Sequence, residues 1–80
     1  MKVCKEDVYQ VISDVLNIDT EFIKHMNEAE DLVVFGMDSV SVVQLVVNLE
    51  EKYEIEFQDE DMSIERLNTL NKLFNLLERY

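Results

Sequence analysis

From Asp7 onwards the apolar residues Val8, Val11, Ile12, Val15 and Leu16 recur at spacings of three and four, while Glu6, Gln10, Ser13 and Asp14 fill the polar side. That period places one apolar stripe along a helix and predicts a first amphipathic helix. The pattern is then lost. Residues 17–38 carry Asn27, Glu28, Glu30 and Asp31 and reach the only glycine, Gly36, without a sustained period. The expectation is a long connecting loop with one helical turn near Glu21 to His25.

Residues 40–47 are rich in valine, so local propensity alone favours a strand. Length decides against it. Val42, Val43, Val46, Leu49 and Tyr53 continue at helical spacing into the helix formers Glu50, Glu51 and Lys52, and a strand that long is unusual. The second helix is therefore predicted from about Ser39 to Tyr53. Ile55 and Phe57 alternate around Glu56 with nothing else in the chain to pair with, and read as core plugs supplied by a loop. Past the acidic run Asp59, Glu60 and Asp61, a short helical turn near Ser63 to Leu67 breaks at Asn68. A last helix then carries Leu70, Leu73, Phe74 and Leu77 on one face. These elements predict an all-α fold in one domain spanning residues 1–80: a small four-helix bundle of three main helices and one short helix, with a long first loop.

Composition narrows what such a bundle can do. Eighteen acidic residues against seven basic ones give a net charge of -11, which argues against nucleic acid and anionic membrane surfaces and favours basic partner surfaces. No apolar run reaches bilayer length, and residues 1–10 lack the apolar centre of a secretion signal, so a soluble cytoplasmic protein is expected. Cys4 is the only cysteine. It can form neither an intramolecular disulfide nor a cysteine-based zinc site, and without a fixed cation beside it the thiol reads as incidental.

The inventory for catalysis is thin. His25 has no second histidine or cysteine partner for a metal and reads as a solvated loop residue. The run 59–61 lacks the central glycine of an EF-hand loop and reads as a solvated helix start, favoured by the helix dipole. No catalytic residue and no metal site are expected. What remains is Phe35-Gly36-Met37-Asp38-Ser39-Val40, where the sole glycine turns the chain and a serine begins a helix. Either Asp38 or Ser39 can cap the unpaired amides of the first turn, and capping alone accounts for an Asp-Ser pair there. A phosphodiester on Ser39 would also suit the site, because it would face free amides and the positive end of the helix dipole. No base stands nearby, so chemistry at Ser39 must be performed by another protein.

Gly36-Met37-Asp38-Ser39-Val40, followed by Val43, Leu45 and Leu49-Glu50-Glu51-Lys52-Tyr53 and then by Ile55, Glu56 and Phe57, resembles the acyl and peptidyl carrier proteins of fatty acid, polyketide and nonribosomal peptide synthesis. The likeness runs over nearly the whole chain. It implies a non-catalytic, monomeric carrier whose Ser39 receives 4′-phosphopantetheine from coenzyme A through a phosphopantetheinyl transferase, with magnesium at the transferase site. Acyl groups would then ride on the arm as thioesters. Position by position, Asp38 is the acidic residue of the motif, and Met37 and Val40 border the arm. Val40, Val43, Gln44, Glu50 and Glu51 form the surface that meets partners. Those partners would be the transferase, an acyl- or aminoacyl-loading enzyme, and a ketosynthase or condensation enzyme, met across a polar interface.

Many fatty acid carriers are acidic two and five places after the serine, where this chain has Ser41 and Gln44. Together with Met37 this points to polyketide or hybrid secondary-metabolite biosynthesis, with docking led by Met37, Val40 and Val43. A freestanding aminoacyl or peptidyl carrier is the alternative within the class. An acidic helical interaction module without a prosthetic group is the alternative outside it. The absence of flanking domains points to a freestanding carrier.

Overall fold

The computed structural model describes residues 2–80. Among them five α-helices form: α1 (Lys5–Leu16), α2 (Thr20–His25), α3 (Ser39–Tyr53), α4 (Ile64–Leu67) and α5 (Leu70–Glu78), with 3-10 turns at Leu32–Phe35 and Asp59–Asp61. No strand forms among the described residues, and the valine run is helical. The three main helices, the short fourth one and the turn within the first loop are borne out. The 3-10 turn at Leu32–Phe35 was not expected.

The apolar stripes meet in one core. Val8, Val11 and Ile12 from α1 pack with Val42, Val46 and Leu49 from α3 and with Leu70, Leu73, Phe74 and Leu77 from α5. Phe57 is buried and Ile55 is half-buried, so both close the core from the chain after α3, as predicted. Burying each such side chain is worth roughly 1.5–3 kcal/mol, which makes these stripes the main source of stability.

Short polar side chains mark where most helices begin. Asp19 accepts from the Glu21 amide at 2.9 Å, Asp31 from Val33 at 3.0 Å, Ser63 from Arg66 at 3.3 Å and Thr69 from Lys72 at 3.1 Å. Each satisfies an amide that the first turn would otherwise leave unpaired. Left-handed residues close α1 and α3, with φ of 59° at Asn17 and 54° at Glu54.

The first loop is far from slack. Ile23 and Leu32 are fully buried, and the Phe22 and Phe35 rings meet edge to face at 5.2 Å. The Leu32 amide donates to the Asn68 carbonyl at 2.7 Å, and the Asn71 amide donates to the Glu28 carbonyl at 3.0 Å. Those bonds moor the loop to the α4–α5 junction and fix the approach to residues 36–39. His25 lies at the end of α2, largely exposed, with Nε2 3.4 Å from the Glu21 carboxylate. Cys4 is exposed just before α1.

One expectation is corrected in part. Asp59 and Glu60 are exposed in a 3-10 turn, as a solvated helix start requires, but Asp61 is only 6% exposed. Its Oδ2 accepts the Tyr80 hydroxyl at 2.8 Å, while Arg66 and Arg79 approach Oδ1 at 3.7 and 4.0 Å. A buried carboxylate persists only where donors and positive charge compensate it, and here all are supplied by residues later in the chain. The start of α4 is capped by Ser63 instead. No described helix is long and apolar enough to cross a membrane.

Candidate functional site

Gly36 turns the chain towards α3 with φ of 104°, a left-handed conformation that costs a residue with a Cβ about 1–2 kcal/mol. Its amide donates to the Val33 carbonyl at 3.0 Å, and the Met37 amide donates to Leu32 at 3.3 Å. The turn delivers Asp38 to the start of α3. Asp38 Oδ1 accepts from the Ser41 amide at 2.8 Å and from the Ser41 hydroxyl at 3.0 Å. The Ser41 amide, and after it the Ser41 hydroxyl, hold the Asp38 carboxyl below the ordinary aspartate range.

Asp38 is therefore the cap, and Ser39 is left free. Ser39 is the first residue of α3, is exposed, and its hydroxyl has no hydrogen-bond partner among the described residues. The Ser41 amide is already taken, so a group on Ser39 finds fewer free amides than the sequence implied.

The other candidates separate into exposed and buried sets. Val40 and Val43 are 66% and 61% exposed, and Gln44 and Glu51 also face solvent. Met37 departs from its expected place beside the arm and on the docking surface. It is 3% exposed and belongs to the core. Glu50 departs too. It is half-buried, and its Oε2 accepts the Phe57 amide at 2.8 Å, so this carboxylate anchors the chain that follows α3. Ser41, two places after Ser39, is only 9% exposed, and its hydroxyl is bonded to Asp38.

A groove of about 510 Å³ begins at Ser39 and runs along α3. Val42, Val43, Val46 and Val47 form one wall, and Met62 and Ile64 form the other. The signal for it lies in the sequence: two adjacent valine pairs, at 42–43 and 46–47, give α3 more apolar surface than one core-facing stripe requires. What faces Val43 and Val47 could not be read, because the opposite wall comes from residues some twenty positions later.

The site fits a phosphopantetheine arm. The hydroxyl is accessible, it competes for no internal hydrogen bond, and an apolar channel opens beside it. Among the described residues no group of three His, Cys, Asp or Glu side chains could hold a metal ion.

The family model described as the phosphopantetheine attachment site matches residues 6–77. An acyl carrier protein of Buchnera aphidicola subsp. Schizaphis graminum is 38% identical over 68 residues, covering 85% of this chain and 81% of that protein. Acyl carrier proteins of Campylobacter concisus and Wolinella succinogenes are 37% identical over 75 residues and 36% identical over 74 residues. They cover 92% and 91% of this chain, and 91% of each relative. The match of residues 6–77 to that family model, and of most of the chain to these relatives, places the chain in the acyl carrier protein family, whose members are non-catalytic carriers with covalently attached 4′-phosphopantetheine.

Proposed function

We propose that Ser39 is the attachment residue and that the chain carries acyl groups as thioesters for enzymes that dock on α3. The observation that carries this reading is the unbonded Ser39 hydroxyl opening directly onto the valine-walled groove. In the loading step Ser39 Oγ bonds to the phosphorus of coenzyme A that carries pantetheine, and the bond from that phosphorus to 3′,5′-ADP breaks. The hydroxyl proton leaves to a base that a phosphopantetheinyl transferase must supply. Asp38 is a poor base for it, because the Ser41 amide and hydroxyl on its Oδ1 hold its carboxyl below the ordinary aspartate range. Once bound, the arm supplies the thiol on which cargo is activated.

The residues of this chain do the rest. Val40 and Val43 give partners an apolar footing, and Glu51 adds a charge that basic residues can meet. The uncharged Gln44 and the buried Ser41 leave this face less acidic than the overall charge implies. That supports a carrier for polyketide or hybrid secondary-metabolite enzymes, such as a loading enzyme and a ketosynthase. The apolar groove wall supports acyl cargo, since a methylene buried there gains about 0.8 kcal/mol.

Incubation with coenzyme A and a broad-specificity transferase tests the reading. The expected result is a mass gain of one phosphopantetheine in the parent and none in Ser39→Ala. An unchanged parent mass with several active transferases overturns it.

A further inference from the structure

The groove beside Ser39 is apolar along its walls but not throughout. Glu50 and Glu65 also line it, and no lysine, arginine or histidine does. Ser39 and Glu50 are eleven residues apart on α3, about 16 Å along the helix axis, so they stand at opposite ends of the valine wall. Glu50 is half-buried, and its Oε2 is spent on the Phe57 amide, while Oε1 has no hydrogen-bond partner among the described residues. Arg66, the cation next to Glu65 in sequence, turns instead towards the Asp61 carboxylate at 3.7 Å.

From this arrangement we infer that Glu50 and Glu65 make the groove select its cargo by charge: it admits acyl chains ending in a methyl or an ammonium group and excludes chains ending in a carboxylate. The inference rests on Ser39 being the attachment site. A carboxylate entering the groove would lose water to valine side chains and meet the charges of Glu50 and Glu65, while Lys72, whose Nζ donates to the Glu65 carbonyl and to Asn68 Oδ1 at 2.8 Å each, stands outside the groove lining. The net charge of -11 adds to that repulsion. A methyl end meets only apolar wall. An ammonium end, though costly to desolvate, can donate to Glu50 Oε1 and recover that cost as a charge-assisted hydrogen bond. Dicarboxylic cargo therefore stays outside on the arm, open to the enzymes that consume it, while apolar or amino-ended chains are sheltered.

The test loads the phosphopantetheinylated protein with three thioesters of matched length, hexanoyl, 6-aminohexanoyl and adipoyl. It then follows the backbone amide signals of Val46, Val47 and Ile64 by nuclear magnetic resonance at neutral pH. Hexanoyl and 6-aminohexanoyl are expected to move these signals from their positions in the unloaded form, and adipoyl to occupy the groove at least about tenfold less. In the double variant Glu50→Gln/Glu65→Gln, adipoyl is expected to move them as hexanoyl does. The carboxamide introduced at position 50 keeps an oxygen to accept the Phe57 amide, and the remaining amide signals report that the fold is intact. Adipoyl shifts equal to those of hexanoyl in the parent overturn the inference, as does exclusion of adipoyl that survives both substitutions. Hexanoyl that leaves the three signals unmoved, on a protein whose mass shows the arm in place, overturns the groove as the cargo site and leaves Ser39 attachment standing. A protein that takes no arm at all overturns both.

Discussion

At the start of α3, Asp38 uses one carboxylate oxygen twice, on the amide and on the hydroxyl of Ser41. This double use frees Ser39 and sets a pH dependence. The Ser41 amide first, and the Ser41 hydroxyl second, lower the folded pKa of Asp38 below its unfolded value. Its contribution to stability is thus complete above the unfolded pKa and is lost as pH falls through the folded one. Thermal melts between neutral and acid pH are expected to show the parent losing stability below about pH 4 more steeply than Asp38→Asn, whose cap oxygen does not titrate there. Tyr80 illustrates the opposite sign. Burial, the largest cause, raises its phenol pKa, so the neutral form that donates to Asp61 persists to higher pH and is lost only as pH rises through the folded value. Tyr80→Phe keeps the ring stacked on Phe57 but removes the donor to a buried carboxylate. Urea denaturation is expected to show a loss of about 1–2 kcal/mol.

Among the elements, the connections carry more information than the helices. The first loop is held by Leu32 in the core and by bonds to Asn68 and Asn71, so it presents residues 36–39 in one position. Gly36 and Glu54 both sit in the left-handed region, but only one of them is glycine. A Cβ at Gly36 would meet nothing within 4 Å, which leaves backbone strain as the whole penalty. Gly36→Ala is expected to cost about 1–2 kcal/mol, and Glu54→Gly to recover up to about 1 kcal/mol by relieving the same strain at the end of α3. Paired chemical denaturation of the two variants checks the opposite signs, and equal signs would show that the two turns are governed by something other than φ.

Across the whole molecule, α1, α3 and α5 share one core, so a truncation in any of them is felt by the site. Leu73 is completely buried between these helices. Leu73→Ala is expected to cost about 2–5 kcal/mol. In a domain of this size that lowers the melting midpoint by at least about 8 °C. A midpoint that does not move would show the α5 stripe to be misassigned. The groove belongs to this scale as well. Its two walls come from α3 and from the chain around α4, and Tyr80 steadies the second wall through Asp61 just before Met62.

The helical periods of α1, α3 and α5, the plugs at Ile55 and Phe57, and the serine at a helix start were legible because each depends on neighbours within one or two turns. Those patterns, with the acidic composition and the Gly36–Val40 stretch, determined the fold class and pointed to Ser39. Tertiary structure decided what depends on distant partners. Met37 and Leu32 are core residues because the loop folds back, and Asp61 is buried because Tyr80, nineteen residues on, reaches its carboxylate. Glu50 is tied down because Phe57 returns its amide to α3. The choice of Asp38 over Ser39 as cap was settled by the direction in which the Gly36 turn delivers the chain. Local sequence fixes which residues can form a helix; only packing decides which polar groups are spent inside the fold and which remain free for chemistry.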